Sequence, residues 1–159
     1  MADRPTPPVR IVVGVGAIVT RGERVLLARR GHAPAEGAWS IPGGRVELGE
    51  TLPEALRREI QEECCLDVTV GDVAIVLDRI TRRPDGALVS HYLIVDFWAT
   101  AASGQARASS DAAAVGWFTL DEIRQLPTTT NLASYLEEAL RRRADGTPGC
   151  LIVNDESIL

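Results

Sequence analysis

The stretch GRVELGETLPEALRREIQEECCL, from Gly44 to Leu66, decides the fold and the chemistry expected of this chain. Its second half places three acids, Glu59, Glu62 and Glu63, about one turn apart on a single predicted helix. Like charges three or four residues apart on a helix are neighbours and repel one another, and no arginine is interleaved between these acids. We therefore expect a divalent cation between the carboxylates, because coordination turns that repulsion into binding.

The predicted helix begins near Leu52. Thr51 followed three residues later by Glu54 is typical of a capping box, and Pro53 falls in the first turn, where its missing N–H does no harm. An apolar residue recurs at every fourth position, at Leu56, Ile60 and Cys64. This spacing predicts a buried stripe, with the three acids beside it at the lip of a cleft.

The order of residues around the acids resembles the Nudix box, the signature of hydrolases that act on a nucleoside diphosphate linked to another group. The matching positions are Gly44, Glu50, Arg58, Glu59, Ile60, Glu62, Glu63 and Leu66. One position departs from the pattern, since Cys65 stands where the family carries glycine. The resemblance implies an α/β fold, a Nudix-type α/β/α sandwich with a mixed β-sheet between helices. It also implies Mg²⁺ as cofactor, with Mn²⁺ as a substitute.

The resemblance assigns roles within the box. Glu59, Glu62 and Glu63 are the implied catalytic residues and metal ligands, and one of them or a further acid serves as the base. Glu62 is either a ligand or the base, and the sequence does not separate the two roles. Glu50 and Arg58 have a structural role, in which an ion pair holds the loop against the helix and so orients the metal site.

Five more residues are candidates for the site. Glu47 is either another metal ligand or an exposed loop acid. Gly43 and Gly44 either bring the backbone close to metal or substrate, which makes Gly44 a further ligand, or form a plain turn. Arg30 either binds the substrate phosphates, whose geometry suits a guanidinium, or is a solvated strand end. Many relatives carry an additional acid in a later loop, where Asp111 is the candidate here.

The chain length of 159 residues suits one domain. We expect a flexible N-terminal arm over 1–9, a single Nudix hydrolase domain over 10–143, and a C-terminal tail over 144–159. The last ten residues, CLIVNDESIL, form a late edge strand, a homodimer contact or a frayed end.

Composition excludes several classes of function. All 17 basic residues are arginine, so a Walker-type phosphate loop and a Schiff-base mechanism, which need lysine, are excluded. The net charge of −5 offers no general attraction to nucleic acid or an anionic membrane. Three cysteines suggest reduced thiols, and no apolar run is long enough to cross a bilayer. We expect a cytoplasmic protein with a small nucleotide substrate and no nucleic-acid or membrane partner.

The leading hypothesis is an Mg²⁺-dependent hydrolase that cleaves the diphosphate bond of ADP-ribose or a related nucleotide sugar. Alternatives are a nucleoside triphosphate pyrophosphohydrolase, a Nudix module that binds a nucleotide without cleaving it, and a partner-binding domain. Retention of all three carboxylates favours catalysis over binding alone. RNA-cap hydrolysis is disfavoured, since an acidic chain without a basic tract has little grip on an RNA backbone. The leaving group, the base and the oligomeric state stay open.

Overall fold

The computed structural model describes residues 10–32, 35–102, 104–109 and 112–159. The predicted arm over 1–9 and the candidate acid Asp111 lie outside these described residues. The elements in chain order are β1 (Ile11–Arg21), β2 (Arg24–Arg30), β3 (Trp39–Ser40), β4 (Gly43–Arg45), α1 (Leu52–Cys64), β5 (Val68–Arg82), β6 (Leu88–Ala101), β7 (Ala112–Phe118), α2 (Leu120–Gln125), α3 (Leu132–Ala144) and β8 (Leu151–Ile158). Within the described ranges, every helix is too short or too polar to cross a membrane.

The strands form one mixed sheet in the order β3-β2-β1-β6-β5-β8, with β4 paired to β1 and β7 paired to β2. The β1–β6 and β5–β8 pairs are parallel, and the β5–β6 pair is antiparallel. Alternate residues of β1 face opposite ways: Ala17 packs with α1, and Ile18 packs with α2 and α3. Helices therefore cover both faces, which confirms the predicted α/β/α sandwich.

Helix α1 begins as the sequence predicts. The Thr51 hydroxyl accepts the Glu54 N–H at 3.4 Å, and the Glu54 carboxylate accepts the Thr51 N–H at 2.8 Å. These reciprocal bonds satisfy two backbone donors that the first turn leaves open. The apolar stripe is fully buried against the sheet, with Leu56, Ile60 and Cys64 at 0 % exposure. The register of the helix, and hence the direction of its acids, is fixed by this stripe.

Helix α1 ends in a left-handed residue. Cys65 has φ 52° and ψ 38°, and its N–H donates to the Gln61 carbonyl. Glycine is the usual residue at this position because it has no Cβ to crowd the following carbonyl. Cysteine is thus tolerated at a conformational cost.

We expect Cys65→Gly to raise the free energy of unfolding by about 1 kcal/mol, since a residue with a Cβ pays roughly that much in the left-handed region. The Cys65 side chain is exposed, so its loss removes little packing, and we expect turnover to be unchanged. Thermal denaturation of the two proteins measures the difference. A lower melting temperature for the glycine variant would show that the left-handed conformation costs this chain nothing.

The segment over 144–159, which the sequence assigns to a tail, contributes strand β8. Leu151–Ile158 pairs in parallel with β5, from Ile75 opposite Leu151 to Arg82 opposite Ile158. Of the three alternatives for the last ten residues, the structure therefore has the edge strand. Leu151 and Val153 pack against the α2 and α3 side of the core, so these residues are part of the folded sheet.

Candidate active site

The turn at Gly43 and Gly44 lies directly against helix α1. The Gly43 N–H donates to Glu63 Oε2 at 2.9 Å. A Cβ added to Gly44 would overlap the Glu59 carboxylate. Two of the three glutamates therefore meet the backbone of this turn, and side-chain volume at Gly44 is incompatible with the position of Glu59. Strand pairing fixes the position of this turn, because Gly43 lies opposite Gly16 of β1 and Gly44 lies opposite Val15.

Arg58 compensates the negative charge of the helix. Its Nη1 lies 2.9 Å from Glu59 Oε1 and 3.2 Å from Glu62 Oε2. No arginine lies between the acids in sequence, but Arg58 is four residues before Glu62 and so shares its helix face. A single guanidinium nitrogen thus draws two of the carboxylates together.

The same arginine ties the loop to the helix. Arg58 Nε and Nη2 donate to the two carboxylate oxygens of Glu50 at 2.7 and 2.9 Å, and Nη2 also donates to the Arg45 carbonyl at 3.0 Å. The hydrogen bonds from Arg58 lower the pKa of Glu50 to about 2. Glu50 is therefore ionised throughout the neutral range. Such a forked pair fixes both partners in orientation as well as distance.

The remaining candidates occupy the surroundings of this cluster. Glu47 is exposed in the loop before α1, and its N–H donates to Glu50 Oε2 at 3.0 Å. Arg30 is the last residue of β2, opposite Ala112 of β7. Leu26, Ala28 and Arg30 are alternate residues of β2, and Leu26 and Ala28 pack against α1. Arg30 therefore lies on the same sheet face as the glutamates. Both residues stay candidates for the roles predicted from the sequence.

The donors at the turn suit Mg²⁺. Within the described ranges, no three histidine, cysteine, aspartate or glutamate side chains gather closely enough to hold an ion by themselves. Mg²⁺ prefers oxygen ligands, however, and commonly uses one or two carboxylates together with waters and substrate phosphates. Glu59 and Glu62 reach the same Arg58 nitrogen, and the backbone of Gly44 adjoins Glu59. This set of oxygen donors fits a metal ion whose remaining coordination positions would be filled by water and phosphate.

Two cavities lie away from the glutamate cluster, one of about 620 Å³ beside Trp98 and Arg143 and one of about 430 Å³ beside Thr20 and Leu140. The glutamates of α1 line neither of them.

The sequence reading overlooked Asp96. Among the described residues, it is the one charged side chain that is buried, with 7 % exposure. Burial raises the pKa of its carboxyl group to about 7, and the positive charge of Arg79 partly opposes this rise. A lone acid inside the apolar strand HYLIVDFWAT, near the alternating glycines Gly14 and Gly16 of β1, is the signal that could have revealed it.

Comparison with known proteins places the whole fold in one family. The NUDIX domain family model matches residues 10–142. An ADP-ribose pyrophosphatase of Methanocaldococcus jannaschii is 34% identical over 114 residues, covering 72% of this chain and 65% of that protein. An NAD-capped RNA hydrolase NudC of Pseudomonas syringae is 30% identical over 140 residues, covering 87% of this chain and 47% of that protein. The chain thus spans less than two thirds of the length of both relatives.

A solved structure agrees with the sequence matches. The crystal structure of a MutT NUDIX hydrolase from Burkholderia pseudomallei superposes with a TM-score of 0.70 and 35% identity. The match covers 80% of this chain and 97% of that one. The agreement extends over nearly the whole of that structure, well beyond the 23-residue stretch from Gly44 to Leu66.

Proposed function

Because this chain belongs to the NUDIX domain family, we propose that it is an Mg²⁺-dependent hydrolase that cleaves the diphosphate bond of a nucleoside diphosphate linked to another group. The observation that carries the proposal is the meeting of the α1 glutamates with the backbone of the Gly43–Gly44 turn, which gathers oxygen donors at one place. ADP-ribose or a related nucleotide sugar is the preferred substrate. The similarity to an ADP-ribose pyrophosphatase supports this choice.

Glu59, Glu62 and Glu63 are the residues that would hold the ion, with the Gly44 carbonyl and Glu47 as further oxygen donors. These residues would hold an ion that supplies charge neutralisation at the phosphates and a coordinated water of lowered pKa. Arg58 draws Glu59 and Glu62 together and orients both carboxylates. A second role, as the base that accepts a proton from the attacking water, falls to Glu62 or to an acid outside the box such as Asp111.

Binding of the substrate follows from the same arrangement. Gly43 and Gly44 offer close approach to the backbone, and Arg30 lies on the face that carries the glutamates, where its guanidinium suits phosphate oxygens. With a net charge of −5, the protein must hold a polyanion through these local groups and the ion. The local cluster therefore accounts for both binding and charge neutralisation.

A nucleoside triphosphate, the alternative predicted from the sequence, is the second candidate substrate for the same site. The similarity to an NAD-capped RNA hydrolase covers only 47% of that protein, and the acidic charge of this chain disfavours an RNA backbone. We therefore keep the prediction of a small nucleotide substrate without a nucleic-acid partner.

We also infer a cytoplasmic location, because Cys64, Cys65 and Cys150 are all free thiols and disulfides are rare in that compartment. A homodimer stays a prediction. Light scattering of the purified protein measures the oligomeric state directly.

Hydrolysis of ADP-ribose in ¹⁸O-labelled water tests the bond that breaks. We expect AMP and ribose 5-phosphate, with the label on one phosphate, because charge on a leaving phosphate is what bridging metal ions stabilise. Mass spectrometry of the products locates the label. ADP and free ribose among the products would mean cleavage of the outer phosphate ester, and free adenine would mean cleavage of the glycosidic bond. If ADP-ribose is inert and a nucleoside triphosphate is hydrolysed, only the preferred substrate changes and the proposed hydrolase function stands. Binding of every diphosphate without turnover would instead favour a non-catalytic module.

A further inference from the structure

Asp96 is a buried carboxyl group to which no described residue donates a hydrogen bond. It lies in the middle of β6 with 7 % exposure, and within the described residues only burial and the charge of Arg79 act on its carboxyl group. Arg79 is engaged elsewhere, since its Nε donates to Asp155 and its Nη2 to the Thr130 carbonyl. Burying a polar group without a partner costs free energy. Within the described part of the chain, no hydrogen-bond donor offsets this cost.

The carboxyl oxygens of Asp96 stay reachable from solvent. Among the described residues, the one fully enclosed side-chain nitrogen or oxygen without a partner is Arg142 Nε. The unpartnered oxygens of Asp96 are therefore not enclosed. A buried carboxyl group whose oxygens are not fully enclosed can accept a hydrogen bond from an incoming ligand.

Asp96 lies near the turn that is proposed to hold the diphosphate. Asp96 Oδ1 occupies the space that a Cβ on Gly16 would fill, and a Cβ on Gly14 would lie 3.4 Å from the Gly44 carbonyl oxygen. Gly14 and Gly16 are alternate residues of β1, so their Cβ positions lie on one face and are separated by roughly 7 Å. The Asp96 carboxyl group and the Gly44 carbonyl thus lie beside neighbouring alternate positions of β1.

The walls beside Asp96 are apolar. A Cβ on Gly16 would lie 2.9 Å from Ile41 Cδ1, and one on Gly14 would lie 3.5 Å from Ile94 Cγ1. Both isoleucines are partly buried and pack on the α2 and α3 side of the sheet. Apolar walls around a single polar group are typical of sites that orient a flat organic ligand. A nucleobase has this character, with apolar faces and polar edges.

We propose that Asp96 reads the nucleobase of the substrate by accepting a hydrogen bond from an exocyclic amino group, so that adenine is preferred to hypoxanthine. The inference rests on the proposed function, because it assumes that the diphosphate lies at the Gly43–Gly44 turn. The two bases differ at the 6-position, where adenine carries an N–H donor and hypoxanthine a carbonyl acceptor. Above the pKa of about 7 that burial gives Asp96, the carboxylate attracts the donor and repels the carbonyl oxygen, so the base preference is measured well above pH 7. The amino group of the base would supply the hydrogen-bond donor that the described residues do not.

Steady-state kinetics with ADP-ribose and its hypoxanthine counterpart, IDP-ribose, test the proposal. For the natural protein we expect kcat/KM to favour ADP-ribose roughly tenfold or more, the size of one hydrogen bond to a charged group. Asp96→Asn presents an N–H as well as an oxygen to the ligand and so serves either base. In this variant we expect the preference to fall below roughly threefold, mainly through KM and with kcat little changed.

Asp78→Asn is the matched control. This substitution makes the same replacement of a carboxylate by an amide on β5, where Asp78 lies 2.7 Å from His91 Nε2. Asp78 alternates with Leu77, which faces the α2 and α3 side of the sheet. Asp78 is therefore on the face of the sheet opposite Asp96, and we expect the Asp78→Asn protein to keep the base preference of the natural protein. Equal kcat/KM for the two substrates in the natural protein, or an unchanged preference in Asp96→Asn, would overturn the proposal while the hydrolase assignment stands.

Calorimetric titration with ADP and IDP separates the two assignments if neither substrate is hydrolysed. Absence of turnover with Mg²⁺ would reject the proposed hydrolase function. The role of Asp96 would still be supported by tighter binding of ADP that Asp96→Asn abolishes. Equal affinities, or no binding of either nucleotide, would overturn it.

Discussion

Glu63→Gln is expected to lower kcat on ADP-ribose at least a hundredfold while the fold survives. Glu63 Oε2 accepts the Gly43 N–H at 2.9 Å, and an amide oxygen can accept the same bond. The substitution therefore keeps the turn in place and removes only the negative charge. Loss of one charged ligand beside a divalent ion costs several kcal/mol of transition-state stabilisation, on the order of a hundredfold in rate. Kinetics with ADP-ribose and Mg²⁺ measure the effect.

Glu62→Gln should behave in the same way, whether Glu62 is a ligand or the base. Glu23→Gln is the matched control, because Glu23 is an exposed acid at the β1–β2 turn and should retain full turnover. Circular dichroism and melting temperature check that each variant is folded. Turnover by a folded Glu63→Gln protein equal to that of the natural protein would reject the metal assignment.

Gly44→Ala is expected to lower kcat/KM at least tenfold with little change in melting temperature. The added Cβ would overlap the Glu59 carboxylate, which is the far end of a flexible side chain and can move aside. Movement of this proposed ligand by about 1 Å is enough to cost activity of this order, up to a hundredfold, because catalysis depends on close positioning. The fold should survive, since the overlapping atoms belong to a side chain and not to the backbone.

Gly86→Ala controls for the general cost of replacing a glycine. Gly86 lies in the β5–β6 turn with φ +84° and open space around it, so alanine is strained there without meeting a neighbour. We expect a lower melting temperature with unchanged turnover at a temperature where the protein is folded. An active Gly44→Ala protein would show that Glu59 is not held in a position that catalysis needs.

Local signals predicted helix α1 well. Thr51 and Glu54 mark its start, and the spacing of Leu56 and Ile60 sets its buried face, because caps and amphipathic periodicity act within a few residues. The left-handed end at Cys65 also follows from the box pattern. These features could be read from one short stretch, and with them the direction of the three acids.

Features that depend on distant pairing could not be read in this way. The approach of Asp96 to the turn requires β6, β1 and β4 to align, with Gly16 opposite both Asp96 and Gly43. The choice of β5 as partner for the last strand likewise depends on sheet order, so the sequence left the role of 150–159 open. The spacing of four residues puts Arg58 and Glu62 on one helix face, but the contact of the same Arg58 nitrogen with Glu59 depends on side-chain conformation.

The most direct test of the proposed mechanism is the rate of ADP-ribose hydrolysis by protein freed of metal with a chelator, before and after Mg²⁺ is restored. Carboxylates alone cannot neutralise the phosphates, so we predict no turnover without metal and release of AMP and ribose 5-phosphate once Mg²⁺ is present, with Mn²⁺ as a substitute. Hydrolysis at the same rate in the metal-free protein and the Mg²⁺-loaded protein would contradict the assignment of the α1 glutamates as metal ligands.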